Sequence, residues 1–228
     1  MEIIKSKVLI LVAHSDDESF GCGGFIKKLK NKKNKIYAIS FTDGVGSRNK
    51  KNISKVKRRK EASNKAAKIL GFQWTAQFDF PDNQLDKVSM LEIVKIIEKF
   101  KNKIKPDVVL THNFSDLNID HRIVAEAALT AFRPEPKQKL KKFITFEVPS
   151  ATDYRMLRNK KNFTPNFFVD ISKTMKIKIK AIKAYREEIK PSPHSRSLNG
   201  IKNLNKLRGN QSGLAHAEAF EIIREISN

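Results

Sequence analysis

The residues able to do chemistry in this chain are histidines and aspartates placed where strands end. Val8-Leu9-Ile10-Leu11-Val12 runs straight into Ala13-His14-Ser15-Asp16-Asp17-Glu18. An apolar run without alternation marks a parallel strand buried on both faces. The polar cluster therefore sits where that strand leaves the sheet, the end at which open α/β sheets bind ligands. An imidazole with two or three carboxylates at such a point can hold a divalent metal and activate its water. The same acids also suit a helix cap. A second cluster follows another apolar strand, Asp107-Val108-Val109-Leu110-Thr111, which ends at His112 and is followed by Asp116, Asp120 and His121. Two imidazoles, a carboxylate and an open position make a catalytic zinc site, and a further carboxylate can act as general base. Spacing leaves open which aspartate does which job. In an extended chain His14 and Asp16 point the same way; in a helical one His14 meets Asp17.

These clusters need a sheet to bring them together. Strands are expected at about 7–13, 35–42, 74–80, 107–111 and 143–148. Between them lie helices of about 52–70, with Gly71 as its stop, 88–103 and 121–132. A helix also starts around Phe25, after Gly21-Cys22-Gly23-Gly24, whose spacing is not that of a dinucleotide or phosphate loop. Those glycines suit either a close approach of backbone to a ligand or close packing of helix and strand. Strands alternating with helices indicate right-handed βαβ units and a parallel sheet. In a doubly wound sheet the first and fourth strands flank the switch point, which brings His14 and His112 to one edge. Beyond residue 150 the pattern loosens. It gives a short strand at 167–171, helices at about 173–188, 199–208 and 213–226, and a proline-flanked loop carrying His194 and Arg196. The reading is a single α/β domain over 1–228, with a Rossmann-like, mostly parallel sheet and helices on both faces. Its core is about 1–150 and a C-terminal helical extension spans about 151–228.

Composition bounds the function classes. The chain has 228 residues, 39% hydrophobic and 31% charged, which is enough for a real core and unlike a disordered chain. Lys and Arg number 46 against 24 acids, a net charge of +22. The lysines are spread along the chain with few aromatics among them. This is the pattern of background composition rather than of a specific nucleic-acid groove. Cys22 is the sole cysteine, which excludes an intrachain disulfide and fits a reducing cytosol. No apolar run reaches the roughly 18 residues of a membrane span, and Asp16 and Asp17 interrupt the N-terminal run, so a cytoplasmic protein is expected.

Ala13-His14-Ser15-Asp16-Asp17-Glu18 resembles the Ala-His-Pro-Asp-Asp-Glu motif of the PIG-L/LmbE-like zinc-dependent N-deacetylases. Asp120-His121-Arg122 resembles the second motif of that family, His-Pro-Asp-His. Phe41-Thr42-Asp43-Gly44, the Arg59–Gly71 helix, Phe80-Pro81-Asp82 and Ala217-Glu218-Ala219-Phe220 extend the likeness over most of the chain. The resemblance implies a Rossmann-like fold and removal of acetyl groups from N-acetylated amino sugars. It implies His14, Asp17 and His121 as metal ligands and Asp16 as general base. Two departures stand out. Ser15 replaces the proline, and Asn118 stands where the family has the first His of its second motif, a residue that stabilises the oxyanion and is oriented by the intervening Asp, here Asp120. Asn118 itself, His112 or His194 is left to fill that role. Arg48 and Asp82 match places where the family contacts sugar hydroxyls, with His112 a further substrate contact.

The expected function is metal-dependent hydrolysis of an N-acetyl group on an amino sugar or its conjugate. Zn²⁺ is the implied metal, and Fe²⁺ accepts the same ligands. The expected partner is a small amino-sugar substrate, phosphate-bearing ones included, with no specific nucleic acid; a homo-oligomer is compatible with the sequence. The rivals are a basic protein that binds nucleic acid or an anionic surface around a non-catalytic metal site, and a metal-dependent esterase or amidase on a non-sugar substrate.

Overall fold

A computed structural model describes residues 3–46, 53–156 and 162–227. Strand β1 (Lys7–Val12) is buried along nearly its whole length and leads into helix α1 (Asp17–Asn31). Then follow β2 (Lys35–Thr42), α2 (Ile53–Leu70), β3 (Gln73–Phe80), α3 (Met90–Ile104), β4 (Val108–His112), α4 (Ile119–Ala131) and β5 (Lys142–Phe146). The last part supplies β6 (Phe167–Asp170), α5 (Met175–Ile182), α6 (Leu198–Asn210) and β7 (Ala217–Glu225). They form one seven-stranded sheet of order β3-β2-β1-β4-β5-β7-β6. The first five strands run parallel, and β7 pairs antiparallel with both β5 and β6. From β1 the chain winds outward to β3, then crosses back to lay β4 on the other side of β1, with Ile10 opposite Leu110. The β1/β4 junction is thus the switch point, where the crevice beyond the strand ends opens.

Side chains of β1 alternate between two cores. Val8, Ile10 and Val12 face α1, α2 and α5, and Leu9, Leu11 and Ala13 face α3 and α4. Both sets are fully buried, as a parallel strand with helices on each face requires. Helix α1 begins at Asp17, well before Phe25, and bends at Cys22 (φ −135°, ψ 22°). A Cβ on Gly24 would lie 2.7 Å from Ile171, and one on Gly21 would strike Phe146, so the glycines serve close packing.

The largest departure from expectation lies in the C-terminal part, which is not purely helical. Residues 217–225, expected within a helix, form β7, wedged between β5 and β6. Phe220 and Ile222 fill one core while Ile223 fills the other, the period-2 split of a strand. Glu218 lies on the buried part of this strand. It accepts from the Gly24 and Phe25 amides and pairs with Lys178 at 2.7 Å. The 173–188 helix is also shorter: α5 ends at Ile182, and a separate turn of helix covers Arg186–Glu188. No helix of the described residues is long and apolar enough to cross a membrane.

Candidate active site

At the end of β1 the chain turns. The Asp16 and Asp17 amides both donate to the His14 carbonyl, and the His14 amide donates to Asp17 Oδ2 at 3.0 Å. The turn settles which aspartate faces the imidazole: it is Asp17, the first residue of α1. His121 comes from the first turn of α4. That helix is capped by Asn118, whose side chain accepts from the Asp120 and His121 amides. The switch point brings the two segments together. His14 Nδ1 lies 3.1 Å from His121 Nε2, Asp17 Oδ2 lies 3.2 Å from His14 Nδ1, and His121 Nε2 lies 3.3 Å from Asp17 Oδ2.

A second ring of carboxylates fixes the imidazoles. Asp82 Oδ1 stands 3.0 Å and Asp120 Oδ2 3.5 Å from His14 Nε2; Asp116 Oδ2 stands 3.1 Å from His121 Nδ1. These partners assign the proton-bearing nitrogen of each ring to the outside. The lone pairs of His14 Nδ1 and His121 Nε2 then converge with Asp17 Oδ2 on one point. Three converging acceptors repel one another unless a proton or a cation lies among them. Their spacing matches the roughly 3.3 Å between ligands of a tetrahedral site with bonds of about 2.0 Å. Asp17 Oδ1 is buried and makes no hydrogen bond. The donor set and geometry therefore fit a divalent metal. Electrostatics agree. Burial disfavours a charged His14, but the Asp17 charge and the bonds to Asp120, Asp17 and Asp82 raise its pKa well above the usual imidazole range. Burial likewise opposes a charged His121, yet Asp17 and Asp116 raise it to about 9. Burial would raise Asp17, and the two imidazoles hold it well below the usual carboxylate range instead. The field that favours these protons favours a cation at the same point.

Asp16 occupies the N-cap position of α1 but makes no cap hydrogen bond. Its side chain turns away and pairs with two guanidinium groups: Arg59 Nη2 at 2.6 Å from Oδ1 and Arg196 Nη1 at 3.0 Å from Oδ2. All three line a cleft of about 480 Å³, together with His14, Asp82, Asn118, His121 and Glu188.

The remaining candidate residues are spread around this cluster. His112 is buried beneath His121, the rings stacked 3.8 Å apart, and its Nε2 accepts from the Ala13 amide. Burial, then the neighbouring His121, push its pKa far down, so it is a neutral support for the strand end and does not line the cleft. His194 Nδ1 accepts from the Arg196 amide, so it shapes its loop while Arg196 reaches the cleft. Asp120 accepts from the Asn83 and Leu85 amides, holding the loop that carries Asp82. Asp82, on the cleft wall, faces His14. Asp43 accepts from the Val45 amide. Arg48 lies outside the described residues. The pairing of Arg59 with Asp16 had no local signal, because α2 is basic all along its length and its sequence does not say which cation points inward.

Comparison with known proteins agrees with this picture. Residues 9–132, spanning both clusters, match the family model "PIG-L: GlcNAc-PI de-N-acetylase". The chain is 26% identical to the diacetylchitobiose deacetylase of Thermococcus kodakarensis over 227 residues, covering 95% of this chain and 83% of that protein. Among solved structures, the N,N'-diacetylchitobiose deacetylase of Pyrococcus horikoshii superposes with a TM-score of 0.77 at 23% identity, over 96% of this chain and 84% of the other. GalB, the 4-carboxy-2-hydroxymuconate hydratase of Pseudomonas putida KT2440, superposes with 0.78 at 20% identity, over 98% of each chain. The fold by itself thus does not select a reaction. With the matched segment covering more than half of its length and both His/Asp clusters, the chain belongs to the PIG-L (GlcNAc-PI de-N-acetylase) family.

Proposed function

We propose that this chain, acting as one catalytic domain over its whole length, is a divalent-metal-dependent hydrolase that removes the acetyl group from an N-acetylated amino sugar or its conjugate. The observation that carries the reading is the triangle of His14 Nδ1, Asp17 Oδ2 and His121 Nε2 beside the cleft, backed by Asp82, Asp120 and Asp116. His14, Asp17 and His121 would hold the metal, Zn²⁺ or Fe²⁺, which supplies Lewis acidity and a water of lowered pKa. Asp16 accepts a proton from the attacking water on its carboxylate and returns it to the departing amine. Water adds to the acetyl carbon, the C–N bond breaks, and acetate and the protonated amine leave. Asn118, its Oδ1 committed to the helix cap, offers Nδ2 to the developing oxyanion. Asp82 and Asn83 on the cleft wall supply polar contacts for sugar hydroxyls.

The test is acetate release by purified protein loaded with Zn²⁺ or Fe²⁺. The substrates are N-acetylglucosamine, diacetylchitobiose, nucleotide and phospho-conjugated N-acetyl sugars, and simple non-sugar esters and amides. Metal-dependent release from an N-acetyl sugar, abolished by chelation, is expected. Turnover confined to the non-sugar compounds would make the chain a general esterase or amidase, and metal binding without any turnover would overturn the hydrolase reading.

A further inference from the structure

We infer that Arg196 is a positioning residue for the reaction: with Arg59 it forms a two-guanidinium clamp that holds the Asp16 carboxylate in its catalytic orientation, and it ties the C-terminal segment to the catalytic turn. The inference rests on the deacetylase reading above, in which Asp16 moves the proton.

Asp16 departs from the usual behaviour of a residue in its position. It stands at the head of α1, where an aspartate side chain ordinarily folds back onto the helix amides. Here it makes no such bond. Among the described residues, its side chain is held from outside, one oxygen by each arginine. Arg59 comes from α2, and Arg196 comes from the loop before α6, 180 residues along the chain from Asp16. Arg196 is itself fixed at several points. Its Nε donates to the Pro149 carbonyl at 3.2 Å, its guanidinium carbon lies 4.7 Å from the centre of the Phe20 ring, and its Nη2 stands 3.5 Å from Asp17 Oδ1. Glu188 joins the two arginines from behind, 2.6 Å from Arg59 and 3.4 Å from Arg196. The result is a closed ring, Asp16–Arg59–Glu188–Arg196. A planar fork with several donors suits this place; a single ammonium cannot bond Asp16 and the Pro149 carbonyl together in the same geometry. The chemistry requires a carboxylate aimed at one water, and misplacement by about 1 Å can cost on the order of 10²-fold in rate.

The experiment compares metal-loaded wild type with Arg196→Ala and Arg196→Lys on the best N-acetyl sugar found. For Arg196→Ala, kcat is expected to fall roughly 10- to 100-fold. KM should stay within about threefold and bound metal per chain should be unchanged, because neither binding nor ligation is removed. Free guanidinium ion at millimolar, non-denaturing concentration should restore part of the lost kcat by refilling the vacated position. Arg196→Lys retains the charge and the stem over Phe20, and so reports even where the alanine variant folds poorly. Its kcat is expected near a tenth of wild type. A kcat within twofold of wild type in either variant overturns the clamp. So does a loss of metal that parallels the loss of activity, since Arg196 would then be supporting Asp17. A wild-type chain without metal-dependent acetate release instead overturns the deacetylase reading itself, so the two failures are distinct.

Discussion

Two adjacent carboxylates have opposite surroundings although they share one turn. Asp17 faces two imidazoles, and Asp16 faces two guanidiniums. We expect Asp16→Asn to keep its metal and lose roughly 10²–10⁴-fold in turnover, the usual worth of general acid–base catalysis. Asp17→Asn should lose the metal, because an amide is a poor substitute for a carboxylate ligand. Metal analysis and turnover on both single variants check this, and an active Asp16→Asn protein would reverse the assignment. Glu18, next in line, behaves differently again. It is fully buried, accepting from the Ser19 and Tyr185 hydroxyls. Burial, only partly offset by the Ser19 bond, raises its pKa from 4.5 to about 8. The folded state thus binds the Glu18 proton more tightly than the unfolded chain does. Its contribution to stability is intact below about pH 4.5 and declines as pH rises towards 8. In metal-free protein, Glu18→Gln should flatten the fall in urea midpoint between pH 5 and 8 relative to wild type. An identical pH dependence in the two proteins would show that Glu18 ionises as freely as in water.

At the scale of elements, α4 carries the second imidazole and owes its start to Asn118. The amide has two ends with separable duties. Asn118→Ala removes the cap and should lower stability by about 1 kcal/mol, measurable in denaturant. Asn118→Asp retains a good cap, but replaces the Nδ2 donor with an acceptor and adds a negative charge on the cleft wall. If that donor faces the oxyanion, kcat should fall roughly 10²- to 10³-fold with metal content and stability near wild type. Unchanged kcat in Asn118→Asp would move the oxyanion role elsewhere. Capping also explains how much of this element is legible in sequence. The apolar periodicity places a helix at about 121–132, whereas the Asn118 cap, which starts it at Ile119, is a finding of the structure. By contrast, residues 217–225 carry alternating and helical apolar spacings at once. Their state is decided by the open edge of β5 and by β6, which supply the ladder.

Across the whole molecule the net charge of +22 is the largest global feature. The cations with the shortest contacts to acids serve local pairs, as in Arg59 with Asp16 and Glu188 or Lys178 with Glu218. The remainder are dispersed along the sequence. We therefore expect gel-shift measurements at physiological salt to show only weak, sequence-independent DNA binding, in the range of roughly 10⁻⁴–10⁻⁶ M. Sub-micromolar affinity there would revive the rival reading of a basic binding protein.

Sequence by itself determined the chemistry available and the sheet that presents it. The unbroken apolar strand into His14, the second cluster after His112 and the alternation of strands with helices are local patterns, set by burial on both faces and by turn and cap propensities. Beyond the ligand set that the family motifs imply, tertiary structure decided how the polar groups pair. The turn at Ser15 put Asp17, not Asp16, against His14. The crossover from β3 to β4 set His121 beside His14, and the loops after β3 and β4 delivered Asp82 and Asp116 as the outer carboxylates. Arg196 reached Asp16 from 180 residues away, and His112, which reads as a site residue, became a buried support. The physical reason is one of range. Hydrophobic period and capping act between near neighbours, so they are written in any short window. The partner of a buried charge is whichever opposite charge the packed sheet and helices bring within about 3 Å, and beyond the local His14–Asp17 turn no short window contains both.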